Sequence, residues 1–346
     1  RASANDTVDL AFDFEERQMH TVSFTAAFST DLGVSASASW AHHNLLGNGE
    51  QLNLSAAING VGGDATSGIG YNVLAQFIKP RFLDPSQTGE VDLSALKQDF
   101  DAYNQTSETA GLFVRRKFST EITGSAGLTG THDQVQQEGI DRTYELLSLP
   151  LVATYDATGL ANPLIDPLSG YRASLNVTPT VAFGTTNLTF VMLQASGSAY
   201  FDLFSDGQSV LALRGLAASI QGASNVDVPP DQRLYLGGSG SVRGFRYQSI
   251  GPRFADQNPI GATSVDAATI EFRQRILDDW GVAAFVDAGQ ASLESTPFNG
   301  DINVGVGVGA RYYTQVGAIR VDVAVPVTQY NNRDSFEVYI GLGQAF

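Results

Sequence analysis

Near its C-terminal end the chain reads INVGVGVGARYY (302–313), and every second residue of its first nine is apolar. Ile302, Val304, Val306, Val308 and Ala310 fall on one face of an extended chain; Asp301, Asn303, Gly305, Gly307, Gly309 and Arg311 fall on the other. Period two marks a β-strand with one apolar face, because successive side chains point to opposite sides. The pattern recurs in AIRVDVAV, where Ile319, Val321, Val323 and Val325 alternate with Arg320, Asp322 and Ala324. It recurs again in FEVYIGLGQAF, and upstream in Val191, Leu193, Ala195, Ala199 and Phe201. Sixteen such segments are predicted: 20–29, 33–42, 50–60, 68–79, 90–103, 105–118, 120–132, 142–155, 170–183, 188–203, 208–220, 263–276, 280–289, 301–313, 317–325 and 335–346. Short turns rich in Gly, Asn, Asp and Ser join most of them. No helical pattern reaches the length of a strand–helix–strand unit, which argues against an α/β enzyme.

A soluble antiparallel sheet alternates in the same way, so the choice of solvent rests on other features. The polar face is heavily charged (Arg214, Glu271, Arg273, Arg275, Asp287, Arg311, Arg320, Asp322), as suits a watery lumen. The strands run to about 10 residues or more, the length a tilted strand needs to cross a bilayer. Aromatics gather near strand ends (Trp40, Tyr200, Phe201, Phe204, Trp280, Tyr312, Tyr313), as interfacial girdles do. An even strand number with the last strand running to the terminus permits closure with the first. The expected fold is all-β: a 16-stranded antiparallel transmembrane β-barrel over 19–346.

Composition narrows the function. The 346 residues carry 20 Lys and Arg against 36 Asp and Glu, a formal charge of −16, which disfavours a nucleic-acid partner. With no cysteine there is no disulfide, zinc–thiolate site or thiol nucleophile. Apolar runs such as GVAAFV (281–286) fall far short of a transmembrane helix, and RASANDTVDL lacks the pattern of a signal peptide. Residues 7–16, TVDLAFDFEE, alternate but have no nearby partner strand. They are expected to be the last strand of a truncated periplasmic domain spanning 1–18 with its linker.

Between two neighbouring strands lies a connection of about forty residues, 221–262, far longer than a hairpin loop. Some twenty residues, at ~3.3 Å each, can fold back through a barrel ~25 Å tall. The loop is therefore expected to turn inward. An arginine carried into the lumen, Arg243 in GGSGSVRGFRYQSIGPR (237–253), needs acceptors, since unpaired buried charge is costly. Glu271 and Asp287, on the inward faces of the next two strands, supply them, and a planar guanidinium could bridge both. Gly305, Gly307 and Gly309 leave one inward face bare, with room for another backbone.

These motifs carry a family resemblance. Val242, Arg243, Gly244 and Phe245 (VRGF), then RYQSIGP, then EF and FVDAG on successive strands, resemble the outer-membrane β-barrel assembly superfamily of BamA and TamA relatives. Residues 27–52 resemble its first hairpin, 162–172 a mid-barrel turn, and VYIGLGQAF its final strand, so the resemblance spans nearly the whole chain. RYQSIGP and the compact loops resemble TamA more than BamA. The resemblance implies that Arg243 locks against Glu271 and Asp287, that periplasmic POTRA domains precede the barrel, and that the chain sits in the bacterial outer membrane. It also implies a TamB-like periplasmic partner, a link to outer-membrane lipids, and a terminal Phe346 that acts as an assembly signal.

Competing readings are weaker. The glycine-rich run lacks the G-x-x-x-x-G-K-[ST] pattern of a phosphate loop. His42 and His43, adjacent on one strand, point to opposite faces and cannot easily chelate together. No catalytic constellation stands out and no cofactor is implied. The expected function is a non-enzymatic insertase or translocase for unfolded outer-membrane clients such as autotransporters. Clients would leave through a lateral gate between the first strand, around Ser23 and Phe24, and the last, where Gly341 and Gly343 allow bending. The rival is a pore or two-partner secretion transporter that passes substrate through the lumen.

Overall fold

The computed structural model describes residues 18–162, 164–315, 317–328 and 336–343. The wall begins with β1 (His20–Ser29), β2 (Gly33–His42), β3 (Gln51–Val61), β4 (Gly70–Pro80), β5 (Gln87–Asp99) and β6 (Asn104–Lys117). It continues through β7 (Ile122–Gln137), β8 (Ile140–Ser148), β9 (Leu151–Asp156), β10 (Gly170–Gly184), β11 (Leu188–Asp202) and β12 (Ser209–Gln221). After the long connection come β13 (Ser264–Arg275), β14 (Trp280–Ser292), β15 (Asn303–Thr314), β16 (Gly317–Pro326) and β17 (Glu337–Leu342). All pairings are antiparallel, and β17 pairs back to β1, so the sheet closes on itself. The predicted strand 7–16, and with it nearly all of the expected domain 1–18, lies outside the described residues.

Seventeen segments occupy sixteen wall positions. β8 and β9 both lie between β7 and β10, and one register runs through them: Ser148 faces Thr180 and Leu151 faces Val177. The interruption falls at Pro150, which has no N–H to give to the ladder. Its carbonyl still accepts from Gly127 at 2.9 Å, so the strand expected at 142–155 is one strand with a missing donor. β7 runs on to Gln137, past the expected end at 132, because Gln134 and Gln136 replace apolar residues on its outward face and remove the contrast that marks a strand.

Alternation sorts the wall by solvent. On β13, Ile270 is 57% exposed on the outside while Glu271 is fully buried inside. Outward positions are mostly apolar because a bilayer offers no hydrogen bonds, and away from the β1–β17 boundary the ladders pair the lipid-facing backbone. Trp280 and Tyr312 pack on the outer face with their rings tilted at 52° and 5.0 Å between centroids, as expected of a girdle. Two expected girdle members do not belong to it. Tyr200 is buried inside with its ring 5.8 Å from the Arg273 guanidinium, and Tyr313 lies 4.1 Å from that of Arg275. Both occupy inward parity, which outweighs their position near strand ends.

Residues 222–263 pack against the inner wall. Val228, Leu236, Val242 and Phe245 share a buried cluster with Phe190, Ile220 and Val265 of the strands. Tyr235 and Tyr247 pack on a second cluster formed by Phe100, Tyr103 and Val135. Within the described residues the only helix is a single turn at Pro230–Gln232 in this loop.

The two faces predict opposite tolerances. Leu93→Arg, outward at mid-wall, should cost ~2–4 kcal/mol in denaturant titrations of barrel refolded into vesicles. The inward neighbour Ser94→Arg should cost well under half of that.

Candidate functional site

The site is built where the loop meets β13–β17. Arg243 is buried, and its guanidinium grips Asp287 with two bonds, Nε to Oδ2 at 2.7 Å and Nη2 to Oδ1 at 3.0 Å. Nη1 donates to Glu271 Oε2 at 2.7 Å, and the Arg243 backbone N–H donates to Asp287 at 3.0 Å. The cation also lies 3.3 Å from the centroid of the Phe285 ring. Burial pulls the arginine pKa down, but the facing Asp287 and Glu271 carboxylates more than offset this and hold it above the ordinary value.

The contact extends into a charge network. Glu271 also accepts from Arg273 Nε at 2.7 Å and has Arg311 at 3.7 Å; Asp322 pairs with Arg311 and lies 3.6 Å from Arg243. Arg273 reaches Asp166, in the turn between β9 and β10, at 3.8 Å. Two inserts therefore end on one network, the loop through Arg243 and the turn through Asp166.

Glycines set the distances. A side chain at Gly305 would overlap the Arg243 carbonyl oxygen, so this position lets the loop backbone press on the wall. Gly307 admits the Phe285 ring, and Gly309 admits the Asp322–Arg311 pair. Gly244 has φ +92° and would place a Cβ 2.8 Å from the Val325 backbone, so glycine is required there twice over. Val242 and Phe245 anchor the motif in the apolar cluster.

The loop also touches the last strand. The Gly244 N–H donates to Tyr339 Oη at 3.2 Å, and the Tyr339 hydroxyl donates to the Phe245 carbonyl at 3.4 Å. Tyr339 stands opposite Ser29 of β1. That closing pair is short: among the described residues only Phe28–Ile340 and Ser29–Tyr339 are in register, against ten pairs between β1 and β2. Thr30 adds an N–H bond to the Val338 carbonyl at 3.1 Å and a hydroxyl bond to Glu337. His20 to Ala26 of β1 are exposed on both faces.

The expected gate residues Ser23 and Phe24 lie on β1, Gly341 on β17 and Gly343 just past its end. Ser23 faces Ser39 and Phe24 faces Ala38 on β2, and neither meets a described residue of β17. The seam register carries Gly341 to the level of Ala27 and Gly343 to that of Thr25, so Ser23 and Gly343 are two residues out of step. Gly343 follows the end of β17 at φ +90° and donates its N–H to Ala318 at 2.7 Å. Phe346 lies outside the described residues. Arg273, Arg311 and Asp322 were legible as inward-facing but not as members of the site, and Phe285 and Tyr339 carried no signal beyond their parity.

A family model described as the Omp85 superfamily domain matches residues 44–346. The chain belongs to the Omp85 superfamily. This Omp85 barrel is similar to the solved structure of BamA from Haemophilus ducreyi lacking POTRA domains 1–3, with a TM-score of 0.79 and 19% identity over 95% of this chain and 71% of that one. It is also similar to CdiB from Acinetobacter baumannii (TM-score 0.67, 14% identity, 95% of this chain) and from Escherichia coli (0.60, 13%, 95%). The chain spans 60% and 64% of those two. The superfamily and the closed sheet place it in the bacterial outer membrane.

Removing one partner from a buried ion cluster leaves a stranded charge. Arg243→Ala should therefore cost ~3–5 kcal/mol, read as a drop in the temperature at which the barrel loses heat-modifiable gel migration. Arg243→Lys should recover only part of it, because an ammonium lacks the fork that spans Asp287 and Glu271. Gly305→Ala, although it leaves every charge in place, should destabilise comparably.

Proposed function

We propose that this barrel inserts or translocates outer-membrane clients, autotransporters or other β-barrel chains, sideways through the seam between β1 and β17. The observation that carries this reading is the pairing of that seam, among the described residues, by two residue pairs where neighbouring wall positions share six to fourteen. Against the described part of β17, most of β1 thus presents a strand edge. Unpaired N–H and C=O groups on an edge are a template for an incoming strand, and a client growing there never exposes bare backbone to lipid. The loop, held in the lumen by the Arg243 network, makes the lateral route easier than an axial one. The role is non-enzymatic. By its resemblance to TamA, a large TamB-like periplasmic partner and outer-membrane lipids belong to the same proposal.

A second reading, an axial secretion pore, draws on the likeness to CdiB and on a lumen cavity of about 560 Å³ lined by Asn176, Gln194, Arg233 and the loop. The two separate cleanly at the seam. Phe28→Cys with Ile340→Cys places thiols opposite each other on the outer face. Oxidation should lower client insertion into proteoliposomes at least tenfold, and reductant should restore it. Full insertion with the seam covalently shut would overturn the lateral route and favour the lumen.

A further inference from the structure

The outward face of the wall carries very few cations. Among the described strand residues they are Lys79, Lys97 and Arg116, and Lys97 is paired with Asp99 at 2.8 Å. Lys79 and Arg116 stand at the same end of β4 and β6, on either side of β5, and neither makes an ion pair among the described residues. Glu50 and Asp84 lie within electrostatic reach of Lys79 and Arg116 respectively, but neither closes an ion pair with them; Glu50 accepts from the Asn48 N–H at 3.0 Å and Asp84 from the Ser86 N–H at 2.9 Å. Arg81 lies in the adjoining turn. This is the rim opposite the long loop, and the longer loops lie on the extracellular side of such barrels, so these cations stand on the periplasmic side.

Apolar groups surround the cation pair. The Phe82 ring lies where a Gly89 side chain would stand, at 2.9 Å, and the Phe118 ring does the same at Gly124, at 2.8 Å. Leu83 at the turn tip is 79% exposed. Above them the outer wall is hollowed into a concavity of about 800 Å³ floored by Ala75, Ala95, Ala110 and Gly130. Its far end carries Glu108 and the His132–Glu145 pair, while its near end, toward the cations, is apolar and open to acyl chains. Its floor begins four residues above Lys79 on β4 and six above Arg116 on β6, roughly 13–20 Å along a strand and so about one leaflet's depth.

We propose that this face of β4–β6 binds an anionic glycerophospholipid of the periplasmic leaflet. The phosphate sits between Lys79 and Arg116, and the acyl chains lie over Phe77 and Val91 into the hollow. Two cations that face the same leaflet depth and close no ion pair among the described residues can turn to a phosphate, and small residues on the strands above leave room for the chains. The site is distinct from the seam and does not depend on the proposed insertase role.

The test is lipid retention by the full chain in nanodiscs of equal phosphatidylglycerol and phosphatidylethanolamine, gently released and weighed by native mass spectrometry. Wild type should retain phosphatidylglycerol over phosphatidylethanolamine on the order of fivefold for each cation engaged. K79Q/R116Q should return to the bilayer ratio, and Ala110→Trp should lower retention of both lipids while heat-modifiable migration stays intact. Millimolar glycerol 3-phosphate should not displace the lipid. Retention in the bilayer ratio by wild type, or enrichment that survives K79Q/R116Q, would overturn the site. Displacement by glycerol phosphate would overturn the acyl half of it.

Discussion

A single arginine, buried and fully bonded, governs the interior. A guanidinium in a barrel lumen must find acceptors as it loses water, and Arg243 finds a carboxylate on each of two adjacent strands. Everything near it follows from that demand. The fork fixes how far the loop must descend, and the descent brings the loop backbone onto the wall at Gly305. Glu271, with acceptor capacity left over, draws in Arg273 and Arg311, and Arg311 needs Asp322. Charges of both signs alternate among these six. A cluster of this kind adds little net stability over apolar packing, but it is intolerant of losing a member. It therefore sets where the loop sits more than how firmly the barrel folds.

The wall around this cluster is uneven. β5, β6 and β7 pair along thirteen and fourteen residues, whereas β17 meets β1 over two. Cooperative hydrogen bonding makes the long pairs costly to separate. The short pair offers little resistance, and its outward residues Phe28 and Ile340 face lipid that competes for their contacts. Strain applied to such a barrel will concentrate at the seam because every other boundary is stronger.

Much of this was legible in the sequence, for a physical reason. Alternation reports which solvent each side chain meets, and a membrane barrel has two strongly different solvents, so strand positions and inward parity could be read from residues alone. The position of Glu271 and Asp287 followed from parity, and their pairing with Arg243 from loop length and resemblance. Lateral contact was not legible. Whether Arg311 meets Asp322, or Ser23 meets Gly343, depends on the offset between strands, and a period of two leaves that offset open in steps of two. The seam shows this limit: parity gives the face of Ser23 and of Gly343, but only the offset between β1 and β17 says which residues meet. Tyr200 failed differently, because position near a strand end suggested the interface while its parity placed it beside Arg273.

The last strand shows how the parts connect. From inside the barrel it is touched at both ends. Near its start the Tyr339 hydroxyl bonds the loop backbone beside Arg243, and just past its end Gly343 rests against Leu164 of the turn between β9 and β10. That turn also carries Asp166, which meets Arg273 in the network. Loop and turn, entering from opposite rims, are thus both tied to the charges on β13–β16 and both in contact with the strand that closes the barrel. A strand held weakly by β1 but braced from within has its freedom set by those braces. Changes in the loop or the turn reach the seam through Tyr339 and Gly343, with the six-charge cluster as the fixed point against which they act.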